Sequence, residues 1–119
     1  MSVTFRLKAD ELKRACEQLG VSPVPLDEEP VEFKLVDGDV WVATLGRWVC
    51  LAADVHQPAR VCIPPSIVEG LVCMLPYFGT KKIEIGFSQG RMRIHTTVFH
   101  NREILVSAVG ESLSPASIS

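Results

Sequence analysis

The sequence predicts an α+β fold in which two helices pack on one face of an antiparallel sheet, in the order β-α-β-β-β-β-α-β-β-β. Three observations carry that expectation. The stretch 61–76, VCIPPSIVEGLVCMLP, is a short apolar strand that stops at a double proline and passes directly into an apolar helix. Two dipeptides, Asp37-Gly38 and Gln89-Gly90, each join a pair of runs in which apolar residues alternate with polar ones. Apart from one amphipathic helix near the start and the connections between elements, the rest of the chain reads as strands.

The first strand is 3–8, where Val3, Phe5 and Leu7 alternate with Thr4, Arg6 and Lys8. Asp10 opens the first helix, in which Leu12, Ala15, Cys16 and Leu19 recur at helical spacing, and Gly20 supplies the left-handed residue that commonly ends one. Its outward side carries Asp10, Glu11, Lys13, Arg14, Glu17 and Gln18. The segment 22–30, SPVPLDEEP, reads as an exposed connection without regular structure. Strands 31–36 and 39–44 follow, joined by Asp37-Gly38, whose central positions both tolerate positive φ. A turn at Leu45-Gly46 leads to 47–55, apolar on both parities and therefore expected inside a sheet.

In the second helix Pro64 and Pro65 remove two backbone donors, which suits a strand end and a helix first turn. Ile67, Leu71 and Met74 form one apolar stripe and Val68, Val72 and Leu75 the next, so this helix must be covered. Beyond it, Ile83, Ile85 and Phe87 alternate with polar neighbours, and Met92, Ile94 and Thr96 resume the alternation. Pairing Phe87 with Met92 and Ile85 with Ile94 across Gln89-Gly90 puts every apolar side chain on one face. Lys82, Glu84, Arg91, Arg93 and His95 then lie on the other. A last strand is expected at 103–109, after the Asn101-Arg102 corner. Strand, helix and then several strands occur twice, a pseudo-repeat of secondary structure.

At 119 residues the chain is expected to form a single domain, 1–109, with a flexible C-terminal tail at 110–119. No segment looks like a signal peptide or reaches the roughly 20 apolar residues of a membrane span, so a cytoplasmic protein is the default. Cys16, Cys50, Cys62 and Cys73 lack Cys-x-x-Cys spacing and sit in apolar segments, which points to reduced, hydrophobe-like thiols and to neither a metal nor a cofactor. The net charge of −2 argues against holding nucleic acid by bulk charge, although a local basic face remains compatible with it. His95 and His100 beside Cys50 or Cys62 are the nearest approach to a nucleophile and base. No nucleophile elbow, zinc-binding His-Glu-x-x-His or phosphate loop accompanies them, so no catalytic residue is assigned and an enzyme is not expected. Trp41 and Trp48 flank a turn, where sheet-edge or core packing is the ordinary role and stacking on a partner the sharper one.

This order of elements resembles one domain of a DNA sliding clamp, most nearly the bacterial replicative polymerase beta-clamp family. VTFRLKADELKRACEQLG is similar to that family's first strand and helix, and LVDGDVWVAT to its acidic-glycine hairpin. VCIPPSIVEGLVCMLP is similar to its strand, proline and apolar helix, and KIEIGFSQGRMRIHT to the hairpin that follows. The likeness runs over residues 3–109. It implies a clamp-like fold and a non-enzymatic processivity role in DNA replication or repair. The implied partners are other copies of the chain, double-stranded DNA, and replication or repair proteins.

The DNA-facing residues it implies are Lys13 and Arg14 on the first helix, with Lys8, Lys81 and Lys82 flanking. Against them stand Asp10, Glu11, Glu17 and Glu69, so the helices alone are net negative. The family's acidic residue after Ala-Thr is Leu45 here. Rings of the family contain about six domains, so a one-domain chain would need about six copies to close one. The alternative function is a clamp-fold protein-interaction module that does not bind DNA.

Overall fold

The computed structural model describes residues 2–20, 30–44 and 46–108. The segment 22–29, Leu45 of the Leu45-Gly46 turn, and the tail 110–119 lie outside the described residues. Among the described residues thirteen elements run in order: β1 (Ser2–Lys8), α1 (Ala9–Gln18), β2 (Val31–Val36), β3 (Asp39–Thr44), β4 (Arg47–Ala52), β5 (Asp54–Val55), β6 (Ala59–Ile63), α2 (Pro65–Met74), a 3-10 turn (Leu75–Phe78), β7 (Lys82–Ser88), β8 (Arg91–Ile94), β9 (Thr97–His100) and β10 (Leu105–Ser107). The fold is α+β, as expected, but the strands form two antiparallel sheets instead of one. Sheet A has the order β5-β1-β7-β8-β9 and sheet B the order β10-β6-β2-β3-β4.

These orders contain a symmetry. Renaming β1 to β5 as β6 to β10, and the reverse, turns one sheet into the other. The chain is thus two consecutive β-α-β-β-β-β units that exchange their first and last strands. β1 pairs with β7, aligning Phe5 with Ile85, and β6 pairs with β2, aligning Val61 with Phe33. The pseudo-repeat in the sequence is therefore a repeat of pairing as well.

Alternation decides which side of each strand is covered. Val3, Phe5 and Leu7 in β1 are buried with Ile83, Ile85 and Phe87 in β7, and Val31, Phe33 and Leu35 in β2 with Val61 and Ile63 in β6. The inner faces of both sheets and the buried sides of both helices share one hydrophobic cluster. At its centre Phe5, Phe33 and Phe87 stand with ring centroids 5.6 to 6.3 Å apart, Phe33 belonging to sheet B and the others to sheet A.

Both glycine hairpins form as expected, with Gly38 at φ 81° and Gly90 at φ 75°. Phe87 pairs with Met92 and Ile85 with Ile94. Three strand expectations need correction. The run 47–55 breaks at Ala53, whose N–H donates to Gly38 O at 3.0 Å, and the chain crosses to sheet A as β5. β4 is consequently an edge strand, not an interior one. The strand expected to continue through Thr96 ends at Ile94, because His95 takes a positive φ of 55° and reverses the chain into an additional strand, β9. That turn is held by His95 N–H donating to Glu84 O at 3.0 Å and by Arg93 Nη1 donating to His95 O at 2.9 Å.

Candidate functional site

Two kinds of surface stand out: the unpaired outer edges of the sheets and their solvent-facing sides. Each sheet has one short terminal strand that is tied to the other sheet's hairpin. The approach to β5 is fixed by the Ala53–Gly38 bond, and that to β10 by Gly90 N–H donating to Ile104 O at 3.0 Å. Gln89 also bonds the backbone of Val106 through both ends of its amide. The other terminal strands, β4 and β9, are longer and have a strand neighbour on one side only among the described residues. β4 is anchored to α1 by Arg47, whose guanidinium donates to Gln18 O. It thereby places a positive charge at a helix C-terminus whose last turn has no basic residue of its own. Trp48 on β4 is 60% exposed and Val98 on β9 is 41% exposed.

The outer side of sheet B is partly aromatic. Trp41 on β3 and Trp48 on β4 lie in adjacent cross-strand rows, with ring centroids 4.6 Å apart and planes tilted by 47°. Cys50 lies directly opposite Trp41, and Arg60 bonds Glu32 across β6 and β2 at 2.5 Å. The tryptophans are thus a sheet-edge pair on the outside, not part of the core.

The outer side of sheet A is basic. Its outward rows contain Arg6 and Lys8 from β1, Lys82 from β7, and Arg91 and Arg93 from β8, against Asp54 and Glu84. Lys82 Nζ lies 2.7 Å from Asp54 Oδ2, and Arg93 Nη2 lies 2.8 Å from Glu84 Oε2. Both carboxylates are held below their ordinary pKa, chiefly by those hydrogen bonds and then, after a small opposing effect of burial for Glu84, by the surrounding cations. Arg6 and Arg91 have no ion-pair partner among the described residues.

The DNA-facing residues expected from the sequence divide between surfaces. Lys13 and Arg14 are exposed on α1, where Lys13 lies 3.9 Å from Glu17. Lys8 and Lys82 are cross-strand partners on sheet A. Lys81 sits in the turn before β7, its carbonyl accepting from Ala9 N–H at 3.0 Å. What sequence reasoning missed is Arg6, which joins Arg91 and Arg93 only because β1 pairs with β7.

The thiols also divide. Cys16 is buried, as expected, and burial together with the adjacent Glu17 pushes its pKa up to about 12. Cys62 is half-buried, whereas Cys50 and Cys73 are exposed, contrary to the apolar reading of their segments. Cys50 faces out from an edge strand and Cys73 from the outer side of α2. His100 is on β9 of sheet A and His95 in the turn before that strand, whereas Cys50 and Cys62 belong to sheet B. No helix among the described residues is long and apolar enough to cross a membrane. No protein-family model matches the chain, and no curated protein matches it.

Proposed function

We propose that this chain is a non-enzymatic, clamp-like domain that works by edge-to-edge self-association and holds duplex DNA for replication or repair proteins. The observation that supports this reading is the pair of outer edges, β4 and β9, each with a strand neighbour on one side only among the described residues. They correspond under the internal symmetry and carry the exposed apolar side chains Trp48 and Val98. An edge strand presents a row of N–H and C=O groups that pairing with another strand satisfies. Because β4 and β9 differ in sequence, β4 of one copy against β9 of the next is a head-to-tail contact, which closes into a ring when the rotation permits. Two successive units of strand, helix and several strands are the element order on which the clamp resemblance rests.

Light scattering over a concentration series tests this. The expected result is a discrete species near six subunits that Trp48→Lys converts to monomer, because a lysine on an edge strand opposes pairing. A chain that stays monomeric at high concentration overturns the assembly. The second reading, a clamp-fold module that binds a protein and not DNA, is favoured by the acidic residues around Lys13 and Arg14 on α1.

A further inference from the structure

We propose that the outer face of sheet A is a phosphodiester-binding face that takes the backbone of a nucleic acid duplex. This rests on the DNA part of the reading above and moves the contact away from the helices.

Charge segregation is the first reason. The whole chain has a net charge of −2, yet on this face Arg6, Lys8, Lys82, Arg91 and Arg93 outnumber Asp54 and Glu84. Both acids are hydrogen-bonded by Lys82 and Arg93. Arg6, which lies opposite both in the strand register, adds to the positive field around them without an ion pair among the described residues. Lys8 and Arg91 likewise form no ion pair among the described residues. A local basic face on an acidic protein is an electrostatic footprint that net charge conceals.

Shape is the second. Gly86 in β7 lacks a side chain where its cross-strand partner is Arg93, and a Cβ there would stand 3.2 Å from Arg93 Nη2. The Arg93 guanidinium lies over that gap, and beside it is a shallow depression of about 80 Å³ bordered by Ser2, Thr4, Ser88, Arg91 and Arg93. The hydroxyls of Ser2, Thr4 and Ser88 make no hydrogen bond among the described residues. Hydroxyl and guanidinium donors around a small hollow are the groups that contact backbone phosphates.

The distribution of charge selects the ligand. The cations do not converge on one deep pocket, as a phosphate monoester would require. They extend from the Lys8–Lys82 end to the Arg91–His100 end, a path of about 20 Å at the rise of a strand. About 20 Å of duplex carries roughly a dozen phosphates on its two strands, so several face the sheet at once. Single strands are bound by stacking bases on aromatic rings. The outward rows of β1, β7 and β8 have no Phe, Tyr or Trp, and the exposed tryptophan pair is on the other sheet.

The test is fluorescence anisotropy with a labelled mixed-sequence duplex across a salt series. The variants are Arg6→Ala/Arg91→Ala and, for the helix surface, Lys13→Ala/Arg14→Ala. These side chains lie outside the core, and circular dichroism checks that each variant folds. The face variant is expected to lose at least about tenfold in affinity at low salt and to flatten the log–log salt slope by about 2, while the helix variant binds like the parent. Unchanged binding in the face variant, or loss in the helix variant alone, overturns the assignment to sheet A. A parent chain that ignores duplex at low salt, or binds poly-glutamate as tightly, overturns the duplex as ligand. Light scattering of the same samples reads self-association separately, so failure of this face and failure of the edge-to-edge assembly are distinguishable.

Discussion

Residues 2–55 and 59–107 pass through the same elements in the same order and pair in the same pattern, yet they present opposite outer surfaces. Sheet B, built mostly from the first unit, exposes a tryptophan pair beside an edge strand. Sheet A, built mostly from the second, exposes arginines, lysines and hydroxyls. The inner faces cannot diverge in this way, because every inward residue must fill one shared core. The outward positions of the same strands are free of that demand. Duplicated topology thus constrains one side of each sheet and leaves the other free to diverge, aromatic on sheet B and basic on sheet A.

The largest effect should come from the place where the two units are least separable. Phe33 of sheet B is fully buried against Phe5 and Phe87 of sheet A, so Phe33→Ala removes packing between the sheets as well as within one. A loss of about 3–5 kcal/mol is expected from the cavity it leaves. Since each unit has lent its first and last strands to the other, neither has a complete sheet alone. Urea unfolding should therefore remain a single transition followed alike by fluorescence and circular dichroism. Two separated transitions, or a loss below about 1 kcal/mol, would show that the units fold independently and that the exchange matters less than its register implies.

A smaller effect should reveal an asymmetry between the helices. α2 approaches β9 through Gly70, where a Cβ would stand 2.7 Å from Phe99 Cε2 and 3.2 Å from Cζ. Glycine is needed there for room, not for its backbone freedom, since its φ is not positive. Gly70→Ala gains roughly 1 kcal/mol of helix propensity but must push the Phe99 ring aside, an overpacking cost of about 1–3 kcal/mol. The net expectation is a destabilisation of about 1 kcal/mol that Phe99→Leu relieves, measured as a shift in the urea midpoint. A stabilised Gly70→Ala variant would mean that the β9 edge yields easily. Its usefulness as a fixed pairing edge would then be in doubt.

The local rules read this chain well where a turn residue and an alternation agree. Asp37-Gly38 and Gln89-Gly90 identified both hairpins, and the Phe87–Met92 and Ile85–Ile94 pairs followed from keeping apolar residues on one face. They failed at His95-Thr96, because a histidine at positive φ carries no turn signature and its conformation is fixed by bonds to Glu84 and Arg93. They also failed to divide the strands into two sheets. Alternation in β1 says that Phe5 faces a core, but not that its neighbour is Ile85, eighty positions away. For the same reason the basic face was only half legible. Lys82, Arg91, Arg93 and His95 form a visible cluster in sequence, while Arg6 and Lys8 join it through long-range pairing. The exposure of Trp48 and Cys50 followed from β4 being an edge, which composition could not reveal.

The smallest effect concerns acid. On sheet A, Asp54 and Glu84 have pKa values lowered by their partners Lys82 and Arg93. A carboxylate whose folded pKa lies below its unfolded value stabilises the protein fully above the unfolded value, about 4 for these groups, and loses that contribution as pH falls through the folded one. The Lys82–Asp54 pair is solvent-exposed and the Arg93–Glu84 pair is open to solvent on one side, so the gain is modest and screened by salt. The double variant Asp54→Asn/Glu84→Gln should be slightly less stable than the parent at pH 7. The gap in urea midpoint should narrow as the pH is taken below about 4.5 and should shrink with added salt. A gap that is constant in pH would show that the carboxylates act by shape and hydrogen bonding instead of charge. The same variant sharpens the contrast between the two faces, because removing both acids makes sheet A more basic while leaving sheet B untouched. Duplex affinity should rise in the variant even as stability falls, and a rise without any change in self-association would separate the anion-binding side of this fold from its pairing edges.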